Sequence, residues 1–185
     1  MIRLNKIRAK STVGMTLVEL LIALTIASFG MLAITTLFVN AMSANGRSKR
    51  DTTATLVAQG IMEQISLGVS MGLPTVPVTD CQNNVVNAST AGTAGGAGAA
   101  LDANGNISFV GAAPGGGYSM TYTVCTQNGQ TNSYDVRWNV QTLDVTPVAD
   151  YMMIVKVAAQ PNSMQQARSF VAPVTLKTIA SLGAN

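Results

Sequence analysis

Residues 15–42 are almost wholly apolar, broken only by Glu19 and a few Thr, Ser and Asn. As a helix rising ~1.5 Å per residue, this run reaches roughly 40 Å, more than the ~30 Å hydrocarbon core of a bilayer. Such a segment cannot be hidden inside a domain of 185 residues without filling it, so it constrains the rest of the chain. Arg3, Lys6, Arg8 and Lys10 precede it, and no further charge except Glu19 occurs before Arg47. That asymmetry predicts a single membrane pass with the N-terminus cytoplasmic and the remainder on the far side.

Two simpler readings explain less. A cleaved secretory signal has a short apolar region followed by a small-residue cleavage site, whereas this run is longer and flows into a further helix. A plain signal anchor accounts for the hydropathy but not for Glu19. A bare carboxylate at mid-helix costs about 2.5–3.5 kcal/mol on insertion scales, less nearer the interface. Ionisable residues within membranes usually face a partner, so Glu19 is a functional candidate.

Beyond Arg47 the pattern changes from uniformly apolar to amphipathic. Ser48, Thr52, Thr55, Gln59, Glu63, Ser66 and Ser70 recur at three- and four-residue spacing, and Ala54, Val57, Ala58, Ile61, Ile65 and Val69 form another stripe. This predicts a helix over 43–72 that offers one face to a domain, ended by Gly72 and Pro74. With the apolar segment it makes one helix over about 15–71, roughly 85 Å long. Gly60 and Gly68 each cost about 1 kcal/mol relative to Ala within it.

Residues 73–117 are rich in Gly, Ala, Asn and Thr and read as a surface loop region. No GxxxxGK[ST] is present, so a phosphate-cradling loop is not expected there. Alternation then sets in over residues 118–185. Tyr118, Met120, Tyr122 and Val124 share one face, as do Tyr134, Val136, Trp138 and Val140, with Asp135, Arg137, Asn139 and Gln141 pointing away. Asn128–Gly129 suits the intervening hairpin turn. Residues 151–159 and 169–178 are further strand candidates, with Pro173 suited to an edge strand or a bulge. The expected class is α+β: a long N-terminal helix whose distal half packs on an antiparallel sheet of about four strands.

The formal charge of +3 is misleading about partners, because the first ten residues carry four positive charges and residues 15–185 net −1. No basic face for nucleic acid is implied. Arg47, Lys49 and Arg50 are the only basic cluster, placed for filament packing or lipid headgroups. The absence of histidine removes His-based triads, bases and metal ligands, and no enzyme activity or cofactor is expected. Asp80, Asp102, Asp135, Asp144 and Asp150 are scattered and form no dense metal-binding loop. Cys81 and Cys125 read as one disulfide if this part is exported, or otherwise as two buried thiols.

The stretch "GMTLVELLIAL" (14–24) resembles the N-terminal signature of type IV pilins and of the pseudopilins of type II secretion. That family has a short basic leader ending in Gly, then an apolar segment with Glu at the fifth position after the cut. Gly14 matches the cleavage glycine, Met15 the new N-terminus and Glu19 the family glutamate, so residues 1–14 correspond to a leader. The resemblance implies a prepilin peptidase that cuts after Gly14 and N-methylates Met15. It also implies an inner-membrane assembly platform and a filament whose core is a bundle of these helices, with lipid around the helix before assembly. Glu19 would then pair with the Met15 amine of a neighbouring subunit and set axial register, as single polar contacts do in coiled coils.

The chain departs from the family pattern in having Met15 where Phe is usual, and in lacking a mid-helix proline near Thr36. The second departure fits minor pilins and pseudopilins better than bulk subunits. The region 134–159 is similar to PilV-type minor pilins. The resemblance implies a minor pilin of a type IV pilus, with its head periplasmic and later extracellular. The alternatives are a minor pseudopilin of a periplasmic pseudopilus and, behind it, a tip adhesin or DNA-uptake pilin.

Overall fold

The structure, a computed structural model, describes residues 14–143, 152–162 and 173–181. Its elements are α1 (Leu17–Ser70), β1 (Thr75–Thr79), β2 (Val85–Ser89), β3 (Ala97–Gly98), β4 (Ser119–Cys125), β5 (Thr131–Leu143), β6 (Met152–Pro161) and β7 (Thr175–Ser181). The expected α+β class is observed, with one long helix and antiparallel strands. Two compact units divide the chain, Met1–Gly46 and Arg47–Asn185. Residues 1–13 of the expected leader (1–14), Asp144, Asp150, Tyr151 of the third strand candidate and residues 169–172 of the last one lie outside the described residues.

In the first unit, every described residue of α1 is exposed. Leu17, Ile26, Phe29, Met31, Ile34 and Leu37 each expose two thirds or more of their surface (67–76%), so no described residue of this unit covers the helix. Its hydroxyls are not left bare. Thr25 donates to the Ile22 carbonyl, Ser28 to Leu24, Thr35 to Leu32 and Thr36 to Ala33, all at 2.7–2.8 Å. Closing these groups onto the helix's own backbone removes the main penalty of carrying them into lipid.

In the second unit, α1 buries most of the predicted stripe: Ala54, Ala58, Ile61, Ile65 and Val69 are at most 6% exposed, and Val57 is half-buried against the same core. Gly72 ends the helix with a φ of 67°. Its N–H donates to the Val69 carbonyl (3.0 Å), and the Leu73 N–H donates to Gly68 (2.9 Å), the paired bonds of a Schellman stop. Gly68 has a packing reason as well. A Cβ there would lie 2.1 Å from Val76 Cγ2, so only glycine lets β1 close against the helix.

The main sheet has five strands, in the order β3-β5-β6-β7 with β4 beside β5. It is built on the long β5. Tyr134, Val136, Trp138 and Val140 face inward and are at most 1% exposed, joined by Val155, Val157 and Ala159 of β6. The β4–β5 turn falls where Asn128–Gly129 predicted it, with Gly129 at φ 74° and Thr126 paired to Gln130 (2.8 Å). Pro173 precedes β7, an edge strand, by two residues.

One expectation needs correction, and one face of the sheet carries a cover that the alternation does not reveal. Residues 73–117 are not all loop, because β1 and β2 pair there as a separate antiparallel hairpin, Thr75 opposite Ser89 through Thr79 opposite Val85. The outer face of β5 is also not open to solvent. Arg137 and Asn139 are each only 4% exposed, because the Gly- and Ala-rich chain after β2 lies across them. Gly98 makes that approach possible, since a Cβ would sit 2.5 Å from the Trp138 carbonyl oxygen. Arg137 secures the covering chain. It pairs with Asp135 (2.8 Å), donates to the Gly111 and Ala112 carbonyls (3.3 and 3.4 Å), and lies 5.0 Å from the centre of the Phe109 ring.

Candidate functional site

The Gly14–Glu19 segment starts the described chain. Gly14, Met15 and Thr16 precede the helix and are exposed, which leaves the Gly14–Met15 bond in accessible, non-helical backbone. Thr16 caps α1. Its carbonyl accepts the first helical hydrogen bond, from the Leu20 N–H (3.2 Å). The Glu19 N–H donates to Thr16 Oγ1 (3.3 Å), and Glu19 Oε2 accepts from both the Thr16 N–H (2.9 Å) and the Thr16 hydroxyl (3.0 Å).

This is a reciprocal capping box, T-x-x-E, in which two otherwise unsatisfied helix-end donors are closed by two side chains. The carboxylate also lies at the positive end of the helix dipole. The motif is readable in the sequence as Thr16 followed three residues later by Glu19, but a charge inside an apolar run draws attention to membranes before caps. Glu19 therefore has a local partner within its own chain, in addition to the intersubunit partner that the pilin resemblance implies. Cleavage after Gly14 would leave Thr16 in place, so the cap would survive removal of the leader.

The second predicted pair is present: Cys81 and Cys125 form a disulfide across 44 residues. It joins the turn of the β1–β2 hairpin to the end of β4, while the Ser89 N–H donates to the Gly117 carbonyl (2.8 Å) and Trp138 Nε1 donates to the Ser89 carbonyl (3.0 Å). These are the ties that hold a hairpin with no strand pairing to the main sheet. Its turn is internally braced as well. Asp80 accepts from the Gln82 and Asn84 N–H groups (2.8 and 2.9 Å) and from Asn84 Nδ2 (3.0 Å). The Asn84 side chain, with these amides, holds the Asp80 carboxyl below its ordinary range.

Closing a loop of this length stabilises by about 3–4 kcal/mol in the chain-entropy model. Cys81→Ala and Cys125→Ala should each lower stability by about that amount, read by denaturant unfolding. Free thiols in the exported, unreduced protein, or an unchanged midpoint in both variants, would count against the bridge.

The described residues contain no group of three or more His, Cys, Asp or Glu able to hold a metal ion. A groove of about 380 Å³ runs beside the disulfide, between α1 and β4, lined by Thr53, Val57, Gly60, Gln64 and Tyr122 among others. Its lining supplies hydroxyl, amide and apolar surface. The predicted residues thus fall into two places, with Gly14, Met15 and Glu19 at the start of α1 and the cysteines in the second unit. No family model, curated protein or solved structure matches the chain.

Proposed function

We propose that the chain is a minor pilin subunit of a type IV pilus, held in the inner membrane by the first half of α1 until its leader is removed and then built into the filament. The observation that carries this reading is the Gly14–Met15–Thr16–Glu19 segment at the head of an apolar helix whose described residues are exposed on every side. A helix that is hydrophobic all round needs an apolar environment from outside its own chain. Lipid supplies it first, and the like helices of neighbouring subunits supply it after assembly. The second unit has a separate core and its own bracing, so it would fold on the far side of the membrane without drawing on that segment.

The chemistry assigned to the chain is assembly, not turnover. A prepilin peptidase would cut the accessible Gly14–Met15 bond and methylate the new amine. Glu19 would meet that amine across a subunit boundary, where low dielectric makes the attraction strong and leaves an unmatched carboxylate costly. Expression in a host that carries the filament machinery tests this. The wild-type chain should lose residues 1–14, and Gly14→Ala should retain them by intact mass. Removal of the leader in the Gly14→Ala chain would overturn the assignment.

A further inference from the structure

The outer face of the sheet carries a feature that the subunit reading does not use. Lys156 on β6 and Lys177 on β7 are directly opposite one another in the antiparallel register. Like charges at that position repel. Lys156 is 9% exposed, although a lysine is seldom so buried without a partner. Across from both lies the turn Asp102–Asn106. A Cβ built on Gly105 would be 4.0 Å from Lys156 Nζ and 4.0 Å from Lys177 Nζ, so the two ammonium groups converge on one point. Each Nζ is that far from a common point, which places them no more than twice that distance apart.

Among the described residues no carboxylate forms an ion pair with either lysine. The carboxylate of Asp135, on the same sheet, is paired with Arg137. Neither lysine makes a side-chain hydrogen bond among these residues. Asp102, in the facing turn, is bonded within that turn. Its Oδ1 accepts the Asn104 N–H (2.9 Å) and the Asn106 N–H (2.8 Å). Its charge also acts on Lys177, without forming an ion pair with it. Gly105 has φ 73° and no side chain, which leaves the space between the two ammonium groups open at the turn.

We propose that Lys156 and Lys177 bind an oxyanion of the phosphate type over the Gly105 turn. Two ammonium groups aimed at one point can each donate to a different oxygen of a tetrahedral anion, and such charge-assisted bonds are the strong ones. The anion would relieve the cross-strand repulsion. The half-sequestered Lys156 would supply directionality, and the exposed Lys177 would supply access. This assignment is independent of the pilin reading, because it uses only the second unit.

The test uses the full-length chain in neutral detergent, with inorganic phosphate as the probe and binding followed by the ³¹P resonance. Saturable binding is expected that survives chloride at matched ionic strength. Lys156→Met and Lys177→Met should each weaken it at least tenfold, and Lys49→Met should leave it unchanged. Near-UV circular dichroism of Trp138 checks the fold, and the exposed Lys177 gives a variant with little reason to misfold. In phosphatidylcholine bilayers, adding phosphatidylglycerol raises the apparent dissociation constant for phosphate if lipid headgroups use the same lysines. An unchanged constant assigns free phosphate as the ligand. Equal phosphate binding by wild type and both lysine variants, or binding abolished by chloride alone, would overturn the proposal.

Discussion

Glu19→Gln should leave the chain folded and inserted in the membrane, yet reduce its recovery in filaments by about two orders of magnitude or more. The substitution separates the cap that Glu19 forms with Thr16 from the registry role proposed for it. Gln serves as well as Glu at the third position of a capping box, so the bonds with Thr16 would persist. Only the charge is lost. If Glu19 acts only as a cap, the variant should assemble normally. If it pairs with a neighbouring subunit's Met15 amine, that amine is left buried and unmatched, at a cost of about 3–5 kcal/mol. Each 1.4 kcal/mol is about tenfold in an equilibrium.

Thr16→Val is the complementary variant. It removes the cap hydroxyl and keeps the charge, and should cost about 0.5–2 kcal/mol of helix stability while sparing most assembly. Quantitative immunoblots of sheared filaments against membranes read both. Full incorporation of Glu19→Gln would remove the registry role and leave Glu19 as a helix cap.

Trp138→Ala should destabilise the second unit by about 3–5 kcal/mol, a large part of the stability of a domain this size. Trp138 is fully buried at the middle of β5, in the same core cluster as Ile61 and Ile65 of α1 and Val155 and Val157 of β6. Truncation would leave a cavity where three elements meet. It would also strip the Ser89 carbonyl of its indole donor (3.0 Å), loosening the hairpin's hold on the sheet. Trp138→Phe divides the two effects. It keeps most of the ring and loses the hydrogen bond, with an expected loss nearer about 1–2 kcal/mol. Urea unfolding followed by far-UV circular dichroism measures both. A loss below about 1 kcal/mol for Trp138→Ala would mean that the sheet and helix do not share this core.

The parts of the fold that could be read in advance are those with a period. The stripe at Ala54, Ala58, Ile61 and Ile65 repeats at helical spacing, and Tyr134, Val136, Trp138 and Val140 alternate. Both ended up buried against one another in one cluster. The β1–β2 hairpin has no such signature. Its strands are five residues each, Pro77 interrupts the first, and only Val78 and Ala88 reach the core from inside it apart from the half-buried Val76 and Val86.

The cover over the outer face of β5 is hidden in the sequence for a related reason. Arg137 and Asn139 look like solvent-facing residues, and the chain that covers them is Gly- and Ala-rich with no pattern of its own. Small residues are what let that chain lie flat on a sheet, as the Gly96 and Gly98 contacts with Asn139 and Trp138 show. Lys156 facing Lys177 depends on register across β6 and β7, which no short turn specifies. At the N-terminus, Gly14, Met15 and Glu19 were visible as spacing, and the role of Thr16 became visible only with the geometry of the helix end.

The proposed subunit role requires that this chain lose its first fourteen residues before it enters a filament. Mass spectrometry of the N-terminal peptide from chain recovered in sheared filaments tests that requirement most directly. The expected peptide begins at Met15, carries one methyl group on its amine and retains Glu19 unmodified. A filament-borne chain that still contains Gly14, or a chain that never leaves the membrane fraction and never acquires a Met15 terminus, would contradict it.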